Sequence, residues 1–266
     1  MPKPNVIPAV ILAALLALAP AGCAAPAAGD LDGIARQAIG SLGTAPDAGD
    51  DAAGASSDAA PAAGDGEWDE ATAPNYYRVT GPAALPAGMP APGDVRIGAP
   101  DRLGRPTGAT ATVTAALMRA GSDRDRDMPD TITGWPEHNP KVEIRFASGR
   151  VYHGYLFNKS HLLAKSLGGP DSPDNMVPGT RPQNVGDNDK TPGGMAYTET
   201  LARDWLKAHP DGAVSYSAVP RYTGDELVPR TVDVDIRTGD GSIDGHVVVY
   251  NAAKGYDIDY LHGGVK

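Results

Sequence analysis

The chain changes character near Asp94, and that break constrains its fold more than any other feature of its 266 residues. Residues 1–93 hold three basic side chains, Lys3, Arg36 and Arg78, against ten acidic ones, and most of the stretch is Ala, Gly, Pro, Asp and Ser. A segment so poor in large apolar residues cannot offset the chain entropy lost on ordering, which predicts a disordered tail over 24–93. From Asp94 onward apolar residues alternate with polar ones between Gly, Pro and Asp punctuation, which predicts a single folded domain over 94–266.

Ahead of the tail, Lys3 precedes an apolar run from Val6 to Ala19, shorter than the roughly 20 residues a bilayer-spanning helix needs. The run therefore predicts a secretory signal over 1–23. Its end, from Leu18 through Pro20 to Cys23, resembles a bacterial lipoprotein processing site with Cys23 as the acylated residue. Ordinary cleavage after Ala21 is the other reading. The two place the mature protein either on the outer face of the cell membrane, held by a lipid on Cys23, or free outside it. Cys23 is the sole cysteine, so the domain has no internal disulfide and no cysteine-built zinc site.

Within the domain, a helix is expected over Thr110–Ala120 and a hairpin from Val142–Phe146 and Val151–Phe157. The stretch from Leu167 to Gly194, rich in Gly, Pro, Asp and Asn, predicts a long functional loop. From Met195 to His209, Met195, Thr198, Leu201, Ala202, Trp205 and Leu206 fall on one helical arc. Three alternating segments follow, Val214–Tyr222, Val228–Thr238 and Ile243–Tyr250, as a half-solvated antiparallel meander requires. The order predicts an α+β domain with an antiparallel sheet and packed helices.

A net charge of −10 sits badly with a polyanionic partner, yet residues 1–93 carry −7 of it. Residues 141–207 have nine basic against seven acidic side chains, a surface suited to loose binding of phosphate backbones. That same region concentrates Asn158, Lys159, Ser160, His161, Asn175, Arg181, Asn184 and Glu199. The strings FNKSHLLAKSLGG, DNMVPGTRPQNVG and GGMAYTE, in this order, closely resemble the DNA/RNA non-specific endonucleases of the ββα-metal, or His-Me finger, class, which includes secreted and DNA-entry nucleases. The resemblance runs from about Leu103 to the C-terminus.

The resemblance implies a ββα-metal nuclease core and a catalytic role for His161, which ends the family's DRGH motif. This chain carries Asn158, Lys159 and Ser160 in place of the first three residues of that motif. It further implies that Asn175 supports the site, that Asn184 binds the metal, and that Glu199 holds the metal's waters. The cofactor implied is Mg2+, with Mn2+ able to substitute, and the products carry a 5′-phosphate and a 3′-hydroxyl. The chemistry is consistent: a histidine titrates near neutrality and can deprotonate water, while an oxygen-ligated cation offsets charge growing on the phosphate. Arg181, Lys159 and Arg105 are candidate phosphate contacts, with Arg124 and Arg126 behind them. The expected partner is DNA or RNA, held through its backbone and thus with weak sequence preference; nothing calls for an obligate protein partner. Two rival readings are a fold-retaining lipoprotein or binding module that has lost the chemistry, and a nuclease toxin effector.

Overall fold

Strict alternation in the C-terminal meander gives three adjacent antiparallel strands, and the rest of the architecture is laid against them. The computed structural model describes residues 67–188 and 192–266. The expected signal over 1–23, Cys23, and the expected tail as far as residue 66 lie outside the described residues. The fold is α+β. Its strands are β1 (Tyr77–Gly81), β2 (Val95–Ile97), β3 (Ala109–Thr114), β4 (Lys141–Arg145), β5 (Val151–Tyr155), β6 (Phe157–His161), β7 (Met176–Thr180), β8 (Ala213–Arg221), β9 (Thr231–Thr238) and β10 (Asp244–Tyr250). The helices are α1 (Ala115–Asp123), α2 (Arg181–Val185) and α3 (Met195–Ala208).

Six strands form one sheet in the order β1-β10-β9-β8-β3-β2, and β4-β5 and β6-β7 are separate two-stranded ribbons. In β9 the side chains of Val232, Val234 and Ile236 are buried against α3 and the turn after β6, in a core that also takes Leu162, Leu163, Leu167, Met195 and Leu206. Each such aliphatic side chain contributes about 1.5–3 kcal/mol on burial. On α3 the buried residues Met195, Thr198, Ala202 and Leu206 follow the expected arc, and Thr198 Oγ1 hydrogen-bonds the Tyr216 hydroxyl of β8 at 3.1 Å. A second core gathers Tyr76, Ile144, Phe146, Leu156, Phe157, Ala253 and Ile258, with Trp68 stacked on Tyr76 at 4.4 Å between ring centroids.

Four sequence expectations need correction. The folded part reaches upstream of Asp94: Trp68 and Tyr76 belong to the second core, and β1 pairs with β10, Tyr77 opposite Val249. The helix expected over 110–120 begins only at Ala115, because Ala109–Thr114 (ATATVT) is a sheet strand whose last residue, Thr114, caps α1 by accepting from Leu117 N at 3.2 Å. Its β-branched residues Thr110, Thr112, Val113 and Thr114 favour the pleated surface over a helix. The second hairpin strand stops at Tyr155, and Phe157 starts the separate strand β6. The long loop contains β7 and α2, so it is a strand-helix unit for part of its length.

Candidate active site

β6 and β7 are antiparallel, with Asn158 opposite Gly179, Ser160 opposite Val177 and His161 opposite Met176. The chain turns from β7 directly into α2, where the Thr180 hydroxyl caps the helix by accepting from Gln183 N at 3.1 Å and Pro182 occupies its first turn. Proline there loses no helix hydrogen bond. Close packing of α2 on the ribbon requires glycine at 179, since a Cβ there would lie 2.1 Å from Gln183 Oε1 and 2.6 Å from Ser160 Cβ. Asn251, just after β10, fixes the β7–α2 junction to the main sheet. Its Oδ1 accepts from Thr180 N at 2.8 Å, and its Nδ2 donates to Pro178 O at 2.9 Å and Pro229 O at 2.8 Å.

Alternation along β6 sends Asn158 and Ser160 to one face and Lys159 and His161 to the other. On the first face the Ser160 hydroxyl donates to Asn184 Oδ1 at 3.1 Å, and Asn184 Nδ2 lies 3.5 Å from Asn158 Oδ1. The three neutral side chains thus converge, bringing together the residue expected at the metal and two that replace the family's motif. On the second face His161 Nε2 pairs with Asp171 Oδ1 at 2.7 Å, the two side chains being 11% and 4% exposed. Burial lowers the His161 pKa below the ordinary 6.5, with Arg126 and Arg124 adding to the effect, although the Asp171 hydrogen bond and charge oppose it. Asp171 is itself held below the usual carboxylate range: burial raises it, but hydrogen bonds from Asp127 N and His161 and the charge of Arg124 outweigh that.

The loop between β6 and β7 is built around Asn175, which is fully buried. Its Oδ1 accepts from Leu163 N at 3.0 Å, and its Nδ2 donates to Leu163 O and Pro170 O at 2.9 Å each. Asn175 is therefore a brace for the segment that carries Asp171, with its amide fully engaged by backbone. Glu199 is partly buried on α3, where Arg203 meets its Oε2 at 3.4 Å and also donates to Ser166 Oγ and Thr200 Oγ1 at 3.0 and 2.7 Å. Burial raises the Glu199 pKa, against the pull of Arg203.

The three expected phosphate contacts fare differently. Arg181, the first residue of α2, is half-buried over the Tyr152 ring at 5.1 Å, and no carboxylate among the described residues pairs with it. Lys159 is engaged: its Nζ donates to Pro129 O at 2.6 Å and Asp130 O at 2.7 Å and sits 5.0 Å from the Trp135 ring centre. Arg105 binds Asp101 at 2.6 Å, donates to Gly224 O and Glu226 O at 2.8 Å each, and lies over Tyr222. It ties two surface loops together and is not among the residues gathered around His161. In the charged loop after α1, Arg124 donates to Gly169 O at 2.5 Å, while Arg126 is exposed. Asp171 was not singled out by sequence. Its spacing from His161 carries no known signature, and the only hint was that a working histidine needs a partner to orient it.

With this geometry in place, the family model described as DNA/RNA non-specific endonuclease matches residues 93–240, more than half of the chain. The chain belongs to the DNA/RNA non-specific endonuclease family. Within that family, a deoxyribonuclease of Streptococcus dysgalactiae subsp. equisimilis is 38% identical over 144 residues, covering 54% of this chain and 43% of the relative. The match thus spans less than half of that relative's length. The structure of Sda1 nuclease with a bound zinc ion superposes with a TM-score of 0.70 at 31% identity, covering 75% of this chain and 99% of the other. NucA from Streptococcus agalactiae, with magnesium bound, shares the fold at 23% identity and a TM-score of 0.54, over 70% and 82% of the two chains.

Proposed function

We propose that this endonuclease-family chain is an exported, metal-dependent, sequence-nonspecific nuclease that hydrolyses the phosphodiester bonds of DNA, with His161 as general base. The observation that carries the reading is a mostly shielded, neutral-leaning imidazole, paired with Asp171 and one residue from a strand serine that hydrogen-bonds Asn184. A general base must be unprotonated at working pH, and burial keeps His161 in that form.

The donors around Asn184 suit a hard cation. Asn184 Oδ1, Asn158 Oδ1 and Ser160 Oγ are neutral oxygens, and no cluster of three or more His, Cys, Asp or Glu suited to a metal occurs among the described residues. An ion taken there would be held mainly by Asn184 and by water and phosphate oxygens, the pattern that Mg2+ or Mn2+ favours. When bound it supplies positive charge beside the scissile phosphate. Neutral ligands leave that charge undiminished. Ser160 and Asn158 orient the Asn184 amide, Arg181 offers a fork of donors for a phosphate, and Asn175 keeps the His161 loop in shape. Glu199, paired with Arg203 on α3, would be the carboxylate to hold the waters of a bound ion. Contacts of this kind grip the backbone and read no base edges, hence the weak sequence preference.

The test is plasmid digestion by the purified protein with Mg2+, beside His161→Ala and Asn184→Ala. Cleavage by the wild type, with a loss of at least about 100-fold in the histidine variant, supports the reading. Intact plasmid with and without chelator would instead favour a binding module.

A further inference from the structure

The contact between His161 and Asp171 has a defined polarity. Asp171 is ionised near neutrality, because its pKa lies below the usual carboxylate range, and an ionised carboxylate can only accept hydrogen bonds. The proton between Oδ1 and the ring, across 2.7 Å, therefore belongs to Nε2. In the neutral ring this leaves Nδ1 with the lone pair, and Nδ1 has no hydrogen-bond partner among the described residues. The second carboxylate oxygen is also placed: Oδ2 accepts from Asp127 N at 3.1 Å. Asp171 is in turn carried by the loop that Asn175 braces through Pro170 O, the residue immediately before it. The histidine thus has a side-chain anchor that is only 4% exposed.

We propose that Asp171 is a positioning residue for hydrolysis, fixing His161 in the Nε2–H tautomer so that Nδ1 is the atom that takes the proton from the attacking water. This rests on His161 being the general base. In the reaction Nδ1 gains a proton, the water oxygen bonds to phosphorus, and the P–O3′ bond breaks with its electron pair remaining on the 3′ oxygen, which takes a proton from solvent. The ring becomes an imidazolium whose charge is stabilised by the Asp171 carboxylate, and it later returns its proton to solvent. A buried carboxylate on the far ring nitrogen serves other base-catalysed hydrolases in the same two ways, by tautomer and by charge.

The experiment uses Asp171→Asn in the full chain. An asparagine amide can donate to Nε2, which favours the Nδ1–H tautomer and withdraws the base. With plasmid and Mg2+, kcat should fall at least about 100-fold with KM within a few-fold. The acidic limb of the rate profile should shift to lower pH, since a charge that raises the His161 pKa is gone. A kcat within threefold of wild type overturns the proposal, and so does a loss of rate with an unmoved acidic limb, which marks a merely structural contact. His161→Ala run alongside separates the two levels: if that variant keeps its activity, the general-base reading fails, whereas an inactive His161→Ala beside a fully active Asp171→Asn sinks only the role of Asp171. Nitrogen-15 NMR of the wild-type histidine ring gives an answer that does not depend on the variant folding. The expected result above the His161 pKa is a protonated Nε2 and a bare Nδ1, and the opposite tautomer contradicts the proposal.

Discussion

At His161 two forces compete, and burial prevails: desolvation pushes the imidazole pKa down more than Asp171 pulls it up. A general base with a lowered pKa keeps working in mild acid, so the acidic limb of kcat/KM should have its midpoint below 6.5, the ordinary histidine value. A midpoint above that value in a pH–rate profile would mean that another group limits the rate. Ser160 tests the asparagine beside it. Its hydroxyl holds Asn184 Oδ1 at 3.1 Å, so Ser160→Ala should raise the Mg2+ concentration for half-maximal activity about 10-fold, with the rate at saturating metal nearly kept. A metal titration that superposes on wild type would contradict that role. At this scale motif order points to His161 and Asn184, and the structure sets Ser160, next to His161, against Asn184. Asp171 is not legible in the sequence, because a loop aspartate among several acidic neighbours acquires its meaning only when the chain folds back over the ring.

Among the elements, the β6–β7 ribbon and α2 owe their position to two buried asparagines, Asn175 just before β7 and Asn251 just after β10. Replacing Asn175 by alanine strands Leu163 N, Leu163 O and Pro170 O without partners in a buried loop, at a cost of about 2–4 kcal/mol. Denaturant unfolding should show that loss, with activity falling beyond it as the Asp171 loop loosens. Sequence patterns revealed α3 and the β8–β10 meander, where periods of 3.6 and 2 persist for several residues. They missed β7, because Pro178 and Gly179 interrupt its apolar run and resemble turn punctuation. Pro178 is tolerated because its carbonyl, which accepts from Asn251, makes the contact and its absent N–H is not needed on a two-stranded ribbon. β3 reads as a helix start because alternating Ala and Thr give no amphipathic contrast for either period to win.

For the molecule as a whole, the domain begins before the composition break. Trp68, Tyr76 and β1 are sparse apolar residues in Ala- and Pro-rich surroundings, so local composition hides them, yet they complete the second core and one edge of the six-stranded sheet. Asn75 O also accepts from Gly194 N at 2.9 Å at the start of α3, where φ is +53° and glycine alone enters without strain. A protein starting at residue 67 keeps all of these contacts. One starting at residue 94 should lose most of its stability, visible by circular dichroism, and an unchanged Tm would refute that view of the domain. The central claim is a metal-assisted hydrolysis with His161 as base, and the most direct measurement is the initial rate of plasmid cleavage with Mg2+ for wild type and His161→Ala, each repeated with EDTA. Cleavage by wild type that EDTA abolishes, and a rate at least about 100-fold lower in the folded variant, is the expected result. A His161→Ala protein that cuts as fast as wild type, or cleavage untouched by EDTA, would contradict the account.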